Sequence, residues 1–313
     1  MKQTILKYSS LLALFSAPFF STQTFAAECA TGTAPLAGCT IDVSDITYTL
    51  TGDIEPAATV IGIEFKTDAD RNIVTLTGNI TTTGDSAAGL RLFTSDSNTT
   101  NLTGNITITG LEAYGLYLVH SDSNTTNLTG NITTAGTDAH GLYLLHSDSN
   151  TTTLTGNITT TGTDGNGIEL DTSNLNITTF TGNITTTGDN AVGLYLNTSD
   201  SNTTTINGDI ITSGTDGNSE AILLRNSDSN TFILSGAVHS LGGDQAISIN
   251  STSQNNTFTF KRGVSFIGGL ENNGGTTNKL IFDMGKSASY NLDFDDTSWT
   301  LEDTSKPIVS GSA

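Results

Sequence analysis

Carboxylates are the first side chains in this sequence whose spacing could do chemistry. Asp96, Asp122, Asp148, Asp200 and Asp228 recur in one phrase, and Asp85, Glu112, Asp138, Asp164, Asp189 and Asp216 in another. A general acid and its partner base must sit in different surroundings, one holding a proton and the other not. Acids that recur at a fixed interval share their surroundings, so this pattern predicts solvated, turn-forming groups. Stacked at roughly 5 Å they would repel by about 1 kcal/mol per pair in a water-like dielectric. Calcium would relieve that repulsion, but the Gly-Gly-x-Gly-x-Asp nonapeptide of calcium-binding rolls is missing from the sequence, and no metal or cofactor is expected. His120 and His146 stand in a column otherwise held by Thr94, Thr172 and Thr198. With no orienting partner in sight, they read as surface substitutions before a metal pair or a base.

Aromatic and hydroxyl groups offer binding chemistry instead. Tyr117, Tyr143 and Tyr195 share one outward position, beside Arg91 and Glu169 in the same column. Such a ladder could grip sugar rings or another protein, or could simply stack across the coils to cover a sheet. If Ile80 points inward, Thr81 and Thr83 point outward, as do Thr107 with Thr109, Thr159 with Thr161, and Thr185 with Thr187. Ranks of Thr-x-Thr on a flat sheet resemble the face of an ice-binding β-solenoid. Ala135 and Ile211 interrupt them, and threonine is a common filler of exposed strands. The Asn-Ile-Thr triplets at Asn79, Asn105, Asn131, Asn157 and Asn183 match glycosylation acceptors but read more simply as repeat vocabulary.

The elements that must position these groups follow from a single period. Glycine returns every 26 residues at Gly52, Gly78, Gly104, Gly130, Gly156, Gly182 and Gly208, and Ser-Asp-Ser-Asn keeps the same register until a two-residue insertion precedes Ser227. A period in the twenties means one small unit stacked on copies of itself. Within a unit, apolar residues alternate with Thr and Asn at period two, which predicts half-buried strands separated by Gly, Asn, Asp and Ser turns. Stacking turns each position into a ladder. Leu76, Leu102, Leu128, Leu154 and Phe180 form one, and Ile80, Ile106, Ile132, Ile158 and Ile184 another. Leu116, Leu142 and Ile168 belong to a third, and Leu118, Leu144 and Leu170 to a fourth. At about 1.5–3 kcal/mol per buried aliphatic side chain, four such columns hold a rod together without a globular core. The expected fold is all-β, a parallel β-helix of about ten coils over 46–313, closed by three strands per coil. The column from Asn72 through Asn98 and Asn124 to Asn256 is placed in a turn, where its amides can bond to the coils above and below.

The two ends bound what the rod can be. Lys2 and Lys7, the apolar run from Leu11 to Phe20 and the small-x-small site Thr24-Phe25-Ala26 form a signal peptide over 1–26. Glu28 before Cys29 excludes a lipobox, and no other run is apolar enough for a membrane helix. Cleavage would take the formal charge from −20 to −22, because two lysines and no acids leave with the signal. Without clustered Lys or Arg, nucleic acid is excluded as a partner. Cys29 and Cys39 are expected to form a disulfide that staples a cap over 27–45 and contributes about 2–3 kcal/mol.

Signal, acidic polar composition, scarce cysteine and the repeated Gly-Asn-Ile-Thr-Thr-Thr-Gly and Gly-Leu-Tyr-Leu phrases together resemble the passenger region of a Gram-negative autotransporter. The resemblance covers essentially the whole chain after the signal. It implies export, display at the outer membrane or release from it, and adhesion to a host or neighbouring cell through a glycan or protein. It also implies an outer-membrane translocator barrel as partner. No barrel-like strands precede Ser310–Ala313, so a fragment of a longer chain and a released or periplasmic protein are both left open. The expectation is a non-enzymatic adhesin or structural spacer, with an ice-binding solenoid and a β-helical glycan-degrading enzyme as alternatives.

Overall fold

The structure is a computed structural model. It describes residues 27–284 apart from 35, 58 and 217, and the segments 289–293, 299–303 and 308–312; the signal peptide read over 1–26 lies outside the described residues. The chain winds into a parallel β-solenoid of about nine turns at a spacing of about 26 residues, close to the ten expected and without helix among the described residues. Each full coil lays down three strands. In the coil beginning at Thr99 these are Thr99–Thr103, Ile106–Ile108 and Leu116–Val119, and their stacked copies make sheets 1, 2 and 3, of 12, 8 and 11 strands. Every pairing is parallel and in register with the sequence repeat, so Leu102 faces Leu76 and Leu128, and Leu116 faces Leu90 and Leu142.

Period-two alternation becomes burial directly. Leu116, Leu118, Leu142 and Leu144 are fully buried, as are Ile106 and Ile132, while the residues between them face outward. Sheet 1 also turns a threonine inward in each of several coils, at Thr100, Thr126, Thr152, Thr178 and Thr204. The Oγ1 atoms of Thr100, Thr126 and Thr204 have no hydrogen-bond partner. Further along, the same position carries Phe232 and Phe258, whose rings stack 4.5 Å apart.

Each corner has its own chemistry. Between sheets 1 and 2 the recurring glycine adopts φ of 138–155° from Gly78 to Gly208, and a Cβ on Gly104 would lie 2.0 Å from the carbonyl oxygen of Gly78. No other residue meets both conditions. Between sheets 3 and 1 the buried asparagines form a continuous clamp. The backbone N–H of Asn98 donates to Oδ1 of Asn124 (2.8 Å), Asn124 N–H to Asn150 (2.8 Å), and the chain of bonds runs on to Asn278. From Asn124 onward each amide also reaches back through Nδ2, as Asn124 does to the Ser95 carbonyl at 3.0 Å, whereas Asn98 donates to Ser95 Oγ in its own turn. The serines of the same turn repeat the device, with Ser95 N–H donating to Ser121 Oγ at 3.1 Å.

Residues 27–45, expected as a cap, carry the first short strands of sheets 1 and 3, and Ala27 pairs with Cys39. Cys29 and Cys39 are joined by a disulfide with their Cα atoms 4.9 Å apart, which ties the first strand of sheet 3 to the second. At the far end Lys279–Asp283 and Thr300–Asp303 extend sheet 1, and Trp299 closes over Phe258 while donating from Nε1 to the Leu270 carbonyl.

Candidate functional site

Most outward columns repeat one residue or close relatives; the outer edge of sheet 3 does not. The position just before the recurring glycine at Gly115, a place held by Ala221 in the last of these coils, reads Ala88, Tyr114, His140, Asn166, Val192 and Glu220 in successive coils. Two positions after that glycine, the outward column reads Arg91, Tyr117, Tyr143, Glu169, Tyr195 and Leu223. Stacking brings these unlike residues together on one face.

The tyrosine ladder expected from sequence is split. Tyr117 and Tyr143 stack in parallel at 5.3 Å, whereas Tyr195 is separated from Tyr143 by Glu169. Tyr114, unread in the sequence, packs edge-on against both rings, 4.7 Å from Tyr117 and 5.1 Å from Tyr143. His140 stacks on Tyr114 at 5.2 Å and meets Tyr143 edge-on at 5.1 Å. Burial raises the phenols of Tyr114 and Tyr143 far above their ordinary range, so both stay protonated.

Behind this cluster lies a buried polar triad. Asn166 N–H donates to His140 Nδ1 at 2.9 Å, so the ring proton sits on Nε2, which lies 3.2 Å from Glu169 Oε2. Asn166 Nδ2 donates to the same carboxylate oxygen at 2.7 Å, and Asn166 Oδ1 accepts from Val192 N–H at 2.7 Å. Burial holds His140 neutral, with its pKa down at about 3. Burial also pushes Glu169 up to about 7, with the bond from Asn166 pulling the other way.

Beside the triad is a groove of about 360 Å³ that spans four coils. Asp138 and Asp164 line one end, Glu169 and Tyr195 the middle, and Asn218 and Arg225 the other end. The guanidinium of Arg225 lies 5.7 Å from the Tyr195 ring centre and donates to Asn218 Oδ1 at 3.3 Å. Asn218 belongs to the loop that holds the two-residue insertion, so that irregularity of length in the repeat falls at the edge of this groove.

The remaining candidates are structural or lie elsewhere. The acids of the Gly-to-Gly loop lie there as read from the sequence, and they occupy two adjacent positions within it. Asp85 and Asp189 accept N–H bonds from Leu111 and Thr215 of the next coil at 3.0 and 2.9 Å, as turn formers do. Glu112, Asp138 and Asp164 stand one residue later with φ of 50°, 54° and 57°. Asp138 is raised in pKa by burial, then by Asp164 and Glu112. The other acidic column is a turn device throughout, with Asp122 N–H donating to Asp96 Oδ1 at 2.7 Å. His120 and His146 stack at 5.0 Å on the exposed turn.

Thr81, Thr107, Thr159 and Thr185 are half-exposed along sheet 2 and stay in register through Thr133 until Ile211; Thr83, Thr109, Thr161 and Thr187 are exposed just past the strand ends. A broader threonine surface, missed in the sequence, covers sheet 1, where Thr151, Thr153 and Thr155 all face outward. Asn79, Asn105 and Asn131 form an exposed ladder, with each N–H donating to the preceding Oδ1 at 2.9 Å. No group of three or more His, Cys, Asp or Glu able to hold a metal occurs among the described residues.

Tyr114, His140, Asn166 and Arg225 carry no periodic signal, and what marks them in the sequence is that each stands where the repeat departs from itself. No family model, curated protein or solved structure matches the chain.

Proposed function

We propose that this chain is an exported, non-enzymatic β-solenoid that works by binding, as the adhesive or spacing passenger of an autotransporter-like surface protein. Its recognition surface is the outer face of sheet 3. One observation carries this reading: residues that depart from the repeat, aromatic and chargeable, converge on that face, while the outward columns of sheets 1 and 2 stay nearly uniform. In a solenoid the constant columns hold the stack and the variable ones are free to recognise a partner. Binding is favoured over turnover because both nitrogens of His140 and one oxygen of Glu169 are already engaged by protein groups, which fixes the groove wall and leaves the imidazole no lone pair to act as a base. The partner is a glycan or protein of a host or neighbouring cell, and a translocator barrel would anchor the rod.

Attachment of the purified chain to cells tests this reading. Replacing Tyr117, Tyr143 and Tyr195 together with alanine should reduce attachment at least tenfold while the β-sheet circular dichroism stays unchanged. Undiminished attachment would move the recognition surface off sheet 3.

A second reading, ice binding, draws on the in-register column from Thr81 to Thr185. Freezing hysteresis of the unmodified chain, abolished by bulky replacements at Thr159 and Thr185, would favour it over adhesion.

A further inference from the structure

We propose that the groove beside His140 and Glu169 is a saccharide site that takes a short neutral segment of glycan laid along the rod axis. The proposal rests on the reading of sheet 3 as the recognition surface and names the ligand class that this surface takes. About 360 Å³ falls in the range of small-ligand sites. Four coils at ~4.8 Å per step give the groove a length of about 14 Å, more than a single sugar ring needs.

The lining matches the two-sided character of a pyranose, whose C–H face is apolar and whose rim is a ring of hydroxyls that each donate and accept. Tyr195, Val192 and Leu223 give the groove an apolar wall. Around it stand Asp138 and Asp164, which only accept, and Asn190 and Asn218, which do both. Asn166 already serves His140, Glu169 and Val192, and Asn218 donates to Asn190 Oδ1 at 3.4 Å while accepting from Arg225, so the polar wall of the groove is set before any ligand arrives.

Charge narrows the class. The carboxylates at one end and the formal charge of −20 on the chain disfavour acidic saccharides. The cation of the groove, Arg225, is laid over Tyr195 and bonded to Asn218, which positions it as part of the wall.

The test titrates the chain with trisaccharides of three kinds, followed by calorimetry and amide chemical shifts. Neutral gluco-, galacto-, manno- and N-acetylated chito-trimers are run beside the deacetylated, cationic chito-trimer and an anionic galacturonate trimer. The expected result is saturable binding of at least one neutral series, with shifts confined to the coils between 138 and 225. Asn190→Ala and Tyr195→Ala should each weaken it at least tenfold. Leu223→Trp, which fills the groove without touching the buried columns, should abolish it at an unchanged unfolding midpoint. Failure of every neutral trimer, tighter binding of a charged one, or shifts on sheets 1 or 2 would each overturn the proposal. Attachment to cells by a chain that binds none of the neutral trimers overturns the saccharide and leaves the adhesive reading standing. Saccharide binding without attachment supports the saccharide and removes the adhesive reading.

Discussion

In the turn that joins sheet 3 to sheet 1, one asparagine position does the same work in every coil from Asn72 to Asn278. In the loop that enters sheet 3, no two successive coils carry the same residue between Ala88 and Glu220. The same coils thus contain a constant corner and a variable one. The difference follows from where the bonds go. An asparagine whose Oδ1 must meet the N–H of the coil below, and whose Nδ2 must meet a carbonyl there, is fixed by its own neighbours in the column. A side chain in the loop that enters sheet 3 has no bond dictated by its own column and is free to differ, even where neighbouring coils bury it as they do His140, Asn166 and Val192.

The constant region should break hardest. Leu142 is fully buried between Leu116 and Ile168, so Leu142→Asp places an unpaired charge in a continuous ladder. A loss of about 4 kcal/mol or more is expected, read as a fall in the urea midpoint. An unchanged midpoint would mean that the inward and outward faces are wrongly assigned. Asn150→Ala comes next, because it strands the N–H of Asn124 and the carbonyl of Ser121 in a buried turn. At about 1–3 kcal/mol for each orphaned group, a loss of roughly 2–6 kcal/mol follows, and one well under 1 kcal/mol would show that the clamp is dispensable.

The variable region should respond to pH instead. Burial lifts Glu169 from 4.5 to about 7, so the folded chain keeps a proton that the unfolded chain releases, and this group lowers stability as pH rises between those values. His140, depressed from 6.5 to about 3, acts in the opposite sense, adding stability as pH rises from about 3 to 6.5. Glu169→Gln removes only the first effect. Relative to the parent, the variant should therefore gain stability as pH goes from about 4.5 to about 7, by on the order of 2–3 kcal/mol, and then level off. Parallel stability curves would contradict the buried placement of this carboxyl. The smallest effect returns to the constant region. Thr126 buries a hydroxyl with no partner, so Thr126→Val should stabilise by about 1 kcal/mol, and a loss of stability would reveal a bond that the hydroxyl makes.

The same contrast decides what could be read from the sequence. The Leu and Ile columns, the glycine corner and the asparagine turn were legible because each rests on a residue type that recurs with the stack, and period alone places it. Tyr117, Tyr143 and Tyr195 are legible as outward residues, but the sequence shows Glu169 only as a neighbour in their column, and stacking makes it the break that assigns Tyr195 to the groove. His140 and Asn166 carried no signal of their own, since their bonds run to each other and to Glu169 across adjacent coils. Only the superposition of unlike coils brings those three within bonding distance. Asp85 and Asp138 share a loop, and only the structure shows that a one-residue offset within it separates a turn former from a groove-lining acid.

The most direct measurement compares attachment of two variants of matched size, one on each kind of surface. The first carries Asn190→Ala, Tyr195→Ala and Leu223→Ala on the outer edge of sheet 3. The second carries Thr153→Ala, Thr179→Ala and Thr205→Ala on the outer face of sheet 1, in three successive coils. Loss of attachment by at least tenfold in the first and retention in the second is the predicted result. Equal loss in both, or loss only in the second, would contradict the claim that recognition resides where the repeat departs from itself.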